Sequence, residues 1–150
     1  MKRVARSAIV EHPVGALFAL IEDIEAYPAF LPWCRDAKVE AREEGRTVAT
    51  ISVGFRGVRR SFTTENRNAL DLQHASIDMG LIEGPFKRFA ASWRLVALGE
   101  HAARVEFAME YEFASRVLAK ILNPLFAHIA DTMVDAFVRR ADELHGRAGG

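Results

Sequence analysis

The stretch Ser115–His145, SRVLAKILNPLFAHIADTMVDAFVRRADELH, decides the fold. At 3.6 residues per turn, Ile129, Met133, Phe137 and Leu144 fall on one face, flanked by Leu125, Phe126 and Ala136. His128, Asp131, Asp135, Arg139 and Asp142 fall on the opposite face. This is a long amphipathic helix, and because isolated helices are marginal in water its apolar stripe requires a partner surface. Asn123-Pro124 interrupts the pattern: Asn123 can cap a new start and Pro124 suits a first helical turn. The reading is a lead-in over Arg116–Leu122, a bend, and a main helix from Pro124. Arg140 points at the stripe, where its stem can lie flat while the guanidinium reaches water.

The partner surface lies upstream. Lys2 to Val10 reads as a strand. Pro13 then opens a helix carrying Leu17, Phe18, Leu20, Ile21 and Ile24, which stops before Tyr27-Pro28-Ala29-Phe30-Leu31-Pro32-Trp33-Cys34, where two prolines forbid a regular helix. From Ala37 the period changes to two. Ala49, Ile51, Val53 and Phe55 alternate with polar neighbours, Gly57 marks a turn, and Val58–Asn66 is the next strand. Asn66 to Gln73 is polar and reads as a loop. Ile77, Met79 and Leu81 alternate, as do Phe89, Ala91, Trp93 and Leu95, and then Val105, Phe107, Met109, Tyr111 and Phe113. Glu43-Glu44-Gly45, Glu83-Gly84-Pro85 and Gly99-Glu100-His101 are turns. Strands joined by short turns are antiparallel neighbours, and one apolar face means a sheet covered on one side. The expected fold is therefore α+β: a curved antiparallel sheet of about seven strands wrapped around the long final helix, with two short helices after the first strand.

The chain has 150 residues and a formal net charge of zero. That length suits a single domain over residues 1–145, with 146–150 as a frayed, disordered tail. Zero net charge gives no global argument for nucleic-acid or membrane binding. Cys34 is the only cysteine, so no intramolecular disulfide forms, which fits a reducing compartment. The N-terminus has no apolar core of a signal peptide and no apolar run approaches the ~20 residues of a membrane span. A cytoplasmic location is expected.

Two segments resemble those of a known family. The order of elements is similar to the START-like, helix-grip superfamily of polyketide cyclase/dehydrase and lipid-transfer proteins. Tyr27-Pro28-Ala29-Phe30-Leu31-Pro32-Trp33-Cys34 resembles the YPxFLPWC signature of its coenzyme Q-binding subfamily, which includes the bacterial ribosome-association toxin; Ala29 departs from the polar or acidic residue expected there. Gly84-Pro85-Phe86-Lys87 followed by Trp93 resembles the GPFK…W segment of the same group, and Phe126, Met133, Phe137 and Arg140-Ala141 also fit. The resemblance implies binding of ubiquinone or a similar isoprenoid lipid between sheet and helix, in support of respiratory electron transport, with peripheral contact at the inner membrane. Its toxin branch implies the alternative, binding to the large ribosomal subunit and inhibition of translation initiation.

The residues themselves say what such a ligand would meet. Tyr27, Phe30, Leu31 and Trp33 on the double-proline loop are candidate cavity walls. Phe62, Met79, Phe89, Trp93 and Met109 join them from the strands, and Phe126, Met133 and Phe137 from the helix. Ordinary core packing is the competing account of each. Arg56, Arg59 and Arg60, with Lys87 and Arg88, form two basic clusters beside turns, suited to rRNA phosphates or anionic headgroups, or simply to a solvated strand end. Nothing points to DNA. No catalytic set assembles: there is no nucleophile elbow, P-loop or dinucleotide fingerprint, Cys34 has no base beside it, and the five histidines lack metal-ligand spacing. His128 with Asp131 and Asp135 reads as a solvated helix face. Asp78 and Arg94 alternate against the apolar set and are read as surface residues. The expected protein binds a hydrophobic molecule and needs no metal or cofactor; a cyclase-type enzyme is the least favoured class.

Overall fold

Period-two alternation becomes a sheet whose inner face meets the terminal helix. The computed structural model describes residues 1–146. Strand β1 (Lys2–Val10) is followed by helix α1 (Val14–Glu22) and a 3-10 helix, Ile24–Ala29. Then come β2 (Cys34–Glu43), β3 (Arg46–Phe55), β4 (Val58–Leu70), β5 (His74–Glu83), β6 (Phe86–Ala97), β7 (Ala103–Phe113) and α2 (Arg116–His145). The seven strands form one antiparallel, curved sheet in the order β1-β7-β6-β5-β4-β3-β2. On β7 the buried residues Ala103, Val105, Phe107, Met109, Tyr111 and Phe113 alternate with Arg104, Glu106, Ala108, Glu110 and Glu112. This is the expected helix-grip, START-like fold.

Antiparallel connectivity sorts the turns into two ends. The β3–β4 and β5–β6 turns, the start of β2 and the start of α2 lie at one, the near end. The β2–β3, β4–β5 and β6–β7 turns and the end of β1 lie at the other, the far end. At the near end Gly84 is required by close approach, because a Cβ there would sit 2.5 Å from the Phe62 Cβ.

Three sequence expectations change. First, α2 is continuous through Asn123-Pro124: Ser115 is the cap, its hydroxyl accepting from the Leu118 N–H at 3.2 Å, and Pro124 lies inside. A proline removes one helical hydrogen bond, here to the Lys120 carbonyl, and Lys120 is exposed to water. Packing of Leu122, Leu125 and Phe126 on both sides of the proline holds the helix together. Second, the buried stripe is Leu122, Leu125, Phe126, Ile129, Ala130, Val134, Phe137 and Ala141, so Leu144, placed on it from spacing, is exposed. Asp142 is not on a free solvated face: its carboxylate lies 2.6 Å from Nε2 of the buried His12. Third, β4 runs on through Asn66–Leu70, the segment read as a loop, where Asn68 pairs with Ile77 and Arg67 with Asp78.

By length and composition α2 passes as a membrane-crossing helix, contrary to the sequence reading, but eight of its residues are buried inside the fold. Of the expected tail, residues 147–150 lie outside the described residues.

Candidate functional site

Between α2 and the sheet lies an interior cavity. In register, Ala91 stands between Met79 and Met109, so the floor of the sheet is low there. Ile129 and Met133 of α2 lie above, and the loop brings Tyr27 and Trp33 to one side. Of the twelve candidate wall residues, ten line the cavity: Tyr27, Trp33, Phe62, Met79, Phe89, Trp93, Met109, Phe126, Met133 and Phe137. Phe30 and Leu31 do not. Leu31 is fully buried in the core behind it, and Phe30 packs edge-on against Phe137 at 5.2 Å and Tyr27 at 6.0 Å. The Arg140 guanidinium covers the Phe30 ring at 5.3 Å and donates to Glu143, so the arginine reaches outward as its spacing suggested. The cavity volume is about 60 Å³, room for a few waters and far below the roughly 300–1,000 Å³ of a drug-sized site.

Two polar wall residues escaped the sequence reading. Thr64 and Asn66 are buried on the inner face of β4, and the Thr64 hydroxyl donates to the Asn66 amide oxygen at 2.7 Å. The Asn66 amide nitrogen is left as a donor on the cavity wall. The available signal is parity, since Phe62, Thr64 and Asn66 are alternate residues of one strand, but Asn66 reads at once as the last strand residue and the first of a polar loop.

The site holds no acid–base pair. Tyr27 is the only titratable residue among those lining the cavity. Its hydroxyl donates to the Ile21 carbonyl, and complete burial pushes its pKa far up. Burial pushes the Cys34 thiol up to about 11, which keeps it protonated and inert as a nucleophile at neutral pH. Among the described residues no three His, Cys, Asp or Glu side chains group as metal ligands, and Asp131 is taken by Arg6. Asp78 and Arg94 pair with each other on the outer face at 2.7 Å.

The two basic clusters differ in state. Lys87 pairs with Glu112 at 3.7 Å, and Arg88 stands opposite the same Glu112 in register. Arg56, Arg59 and Arg60 are exposed at the β3–β4 turn and have no carboxylate partner among the described residues. Arg60 donates to the Arg59 carbonyl and Arg56 lies over the Phe55 ring. Arg35, absent from the sequence reading, lies beside them across Gly54.

Comparison with known proteins adds three findings. The family model described as polyketide cyclase/dehydrase and lipid transport matches residues 10–138. The ribosome association toxin RatA of Pseudomonas aeruginosa is 39% identical over 143 residues, covering 95% of this chain and 97% of that protein; the mitochondrial coenzyme Q-binding protein COQ10 homolog B of Xenopus laevis is 24% identical over 147 residues, covering 95% of this chain and 59% of that protein. Among solved structures, a START superfamily protein from Mycobacterium smegmatis superposes with a TM-score of 0.79 at 20% identity, over 95% of this chain and 98% of that one, a likeness of fold alone.

Proposed function

Starting from a chain that belongs to the polyketide cyclase/dehydrase and lipid transport family, we propose that it associates with the ribosome and restrains translation, acting through its surface rather than through catalysis. The observation that carries this reading is the end-to-end match to a ribosome association toxin at 39% identity. A nearly filled interior supports it, since a protein working by its outer surface needs a firm core and no ligand space. In this mechanism the protein occupies the large subunit and keeps the small subunit from joining. Purified protein mixed with separated subunits should travel with the large subunit in a sucrose gradient, and the fraction of joined ribosomes should fall. Protein that stays at the top of the gradient at every salt concentration overturns the reading.

A second reading keeps the cavity in use. Apolar walls, three methionines that can repack and the Asn66 donor suit a quinone-type lipid whose carbonyl meets the amide while its tail displaces side chains. The relative named as a coenzyme Q-binding protein supports it more weakly, at 24% identity. Organic extraction of the same preparation is the deciding arm. A near-stoichiometric quinone favours this second reading, and an empty protein that binds subunits favours the first.

A further inference from the structure

Four arginines meet at the near end of the sheet. Arg59 is the direct cross-strand partner of Gly54 in the β3–β4 hairpin. On the other side of β3, the Arg35 side chain lies over the same glycine, so closely that a Cβ at position 54 would come 2.5 Å from its Nε. Gly54 is therefore flanked by two guanidinium-bearing side chains whose strands are roughly 10 Å apart, two strand spacings. On β4 Arg60 belongs to the inner-face series of Phe62 and Thr64, so it flanks the same hairpin from the other face of the sheet at its rim, and Arg56 forms the turn with Gly57, at φ values of 50° and 78°.

A two-residue hairpin with positive φ at both central positions favours Asn-Gly or Asp-Gly, and an arginine in the left-handed region is uncommon. The fold itself gives no reason for this arrangement. Arg35 and Arg59 put like charges beside one glycine, which is destabilising, and none of the four has an ion-pair partner among the described residues. An anion brought by a partner would supply one.

We propose that Arg35, Arg56, Arg59 and Arg60 form a docking surface for the phosphodiester backbone of RNA. This rests on the ribosome reading and narrows it: the protein grips exposed rRNA rather than ribosomal protein. The choice of residue supports RNA. All four are arginine, whose planar fork takes phosphate oxygens two at a time and can stack on bases, where an electrostatic membrane patch is served equally by lysine.

The test uses the full chain against three probes: isolated large subunits, protein-free large-subunit rRNA and vesicles of anionic phospholipid, each titrated across salt. Wild type should bind subunits and rRNA with affinity falling steeply in salt. Arg35→Gln and Arg59→Gln should each lower the slope of log K against log salt by about 1. Arg35→Glu with Arg59→Glu should weaken binding about tenfold or more at low salt with an unchanged melting temperature, whereas Arg104→Glu at the far end should not. If wild type binds subunits and the double variant binds them equally well, the surface is misassigned and the ribosome reading stands. If wild type binds neither subunits nor rRNA, both fail. Arginine-dependent binding to vesicles alone makes the partner a membrane and overturns the proposal.

Discussion

At the far end of the sheet the arginines are paired. Arg42 reaches Glu22 at 3.5 Å, Arg46 reaches Glu65 at 2.7 Å and Glu43 at 3.2 Å, and Arg67 reaches Glu65 at 3.1 Å. At the near end, Arg35, Arg56, Arg59 and Arg60 have no carboxylate partner among the described residues. The two ends belong to one chain of zero net charge, so the total conceals an uneven distribution. A sum over the sequence reports on solubility and long-range steering, whereas docking depends on where charges are left without partners. The far end uses these arginines within the fold, whereas the near end pairs Lys87 with Glu112 and Arg3 with Glu110 but leaves the arginines around the β3–β4 hairpin for something else.

The hairpin arginines add no ion pairs to the near end, so its rings must carry most of its packing. Phe126 is buried there, with ring centroids 5.2 Å from Phe113, 5.3 Å from Tyr111 and 5.4 Å from Phe86. Phe126→Ala should cost about 3–5 kcal/mol in urea denaturation, the range for truncating a fully buried phenylalanine. A loss under about 1 kcal/mol would mean the cluster does not anchor that end and the contrast with the far end is drawn wrongly.

The strands that build both ends were legible because each carries an apolar face at period two, and the helix because its stripe is long. What was not legible has local causes. Pro124 obeys a rule about isolated helices that packing of Leu122 and Leu125 overrides. Asn66–Leu70 looks like a loop because its polar side chains serve the fold: Asn66 meets Thr64, and Asn68 donates to Glu22. For the candidate site, aromatic and methionine positions gave ten of the cavity walls, yet nothing in the sequence says how tightly they close, and the volume is small. Pairing is equally invisible in one dimension. Lys87 and Arg59 look alike until Glu112 is found beside one and, among the described residues, no carboxylate beside the other.

The arginine contrast can be tested directly. Arg46→Ala should lower the denaturation midpoint, because it releases both Glu43 and Glu65, and the Arg46 guanidinium holds the Glu65 carboxyl below its usual range. Arg59→Ala should leave the midpoint unchanged or raise it, by easing repulsion from its neighbours. Equal losses from the two would mean that the near-end arginines stabilise the fold after all.

The smallest effect concerns Glu22, the far-end carboxylate under Arg42. Burial holds its pKa above the usual value, against the opposing pull of Arg42 and the hydrogen bonds from Thr47 and Asn68. The native state therefore binds this proton more tightly than the unfolded chain does. Its contribution to stability falls as pH rises from the ordinary carboxylate range through the raised native value, and is level above that. Glu65 and Asp71, both held low, contribute with the opposite sign, but they are common to wild type and variant and cancel in the difference. Glu22→Gln should keep the acceptor for Thr47 and Asn68 and remove the titration. The stability difference, variant minus wild type, should then rise with pH across the window just above the ordinary carboxylate range. A difference that is flat there would mean that Arg42 fully offsets the burial, and that the far end holds its charges without strain.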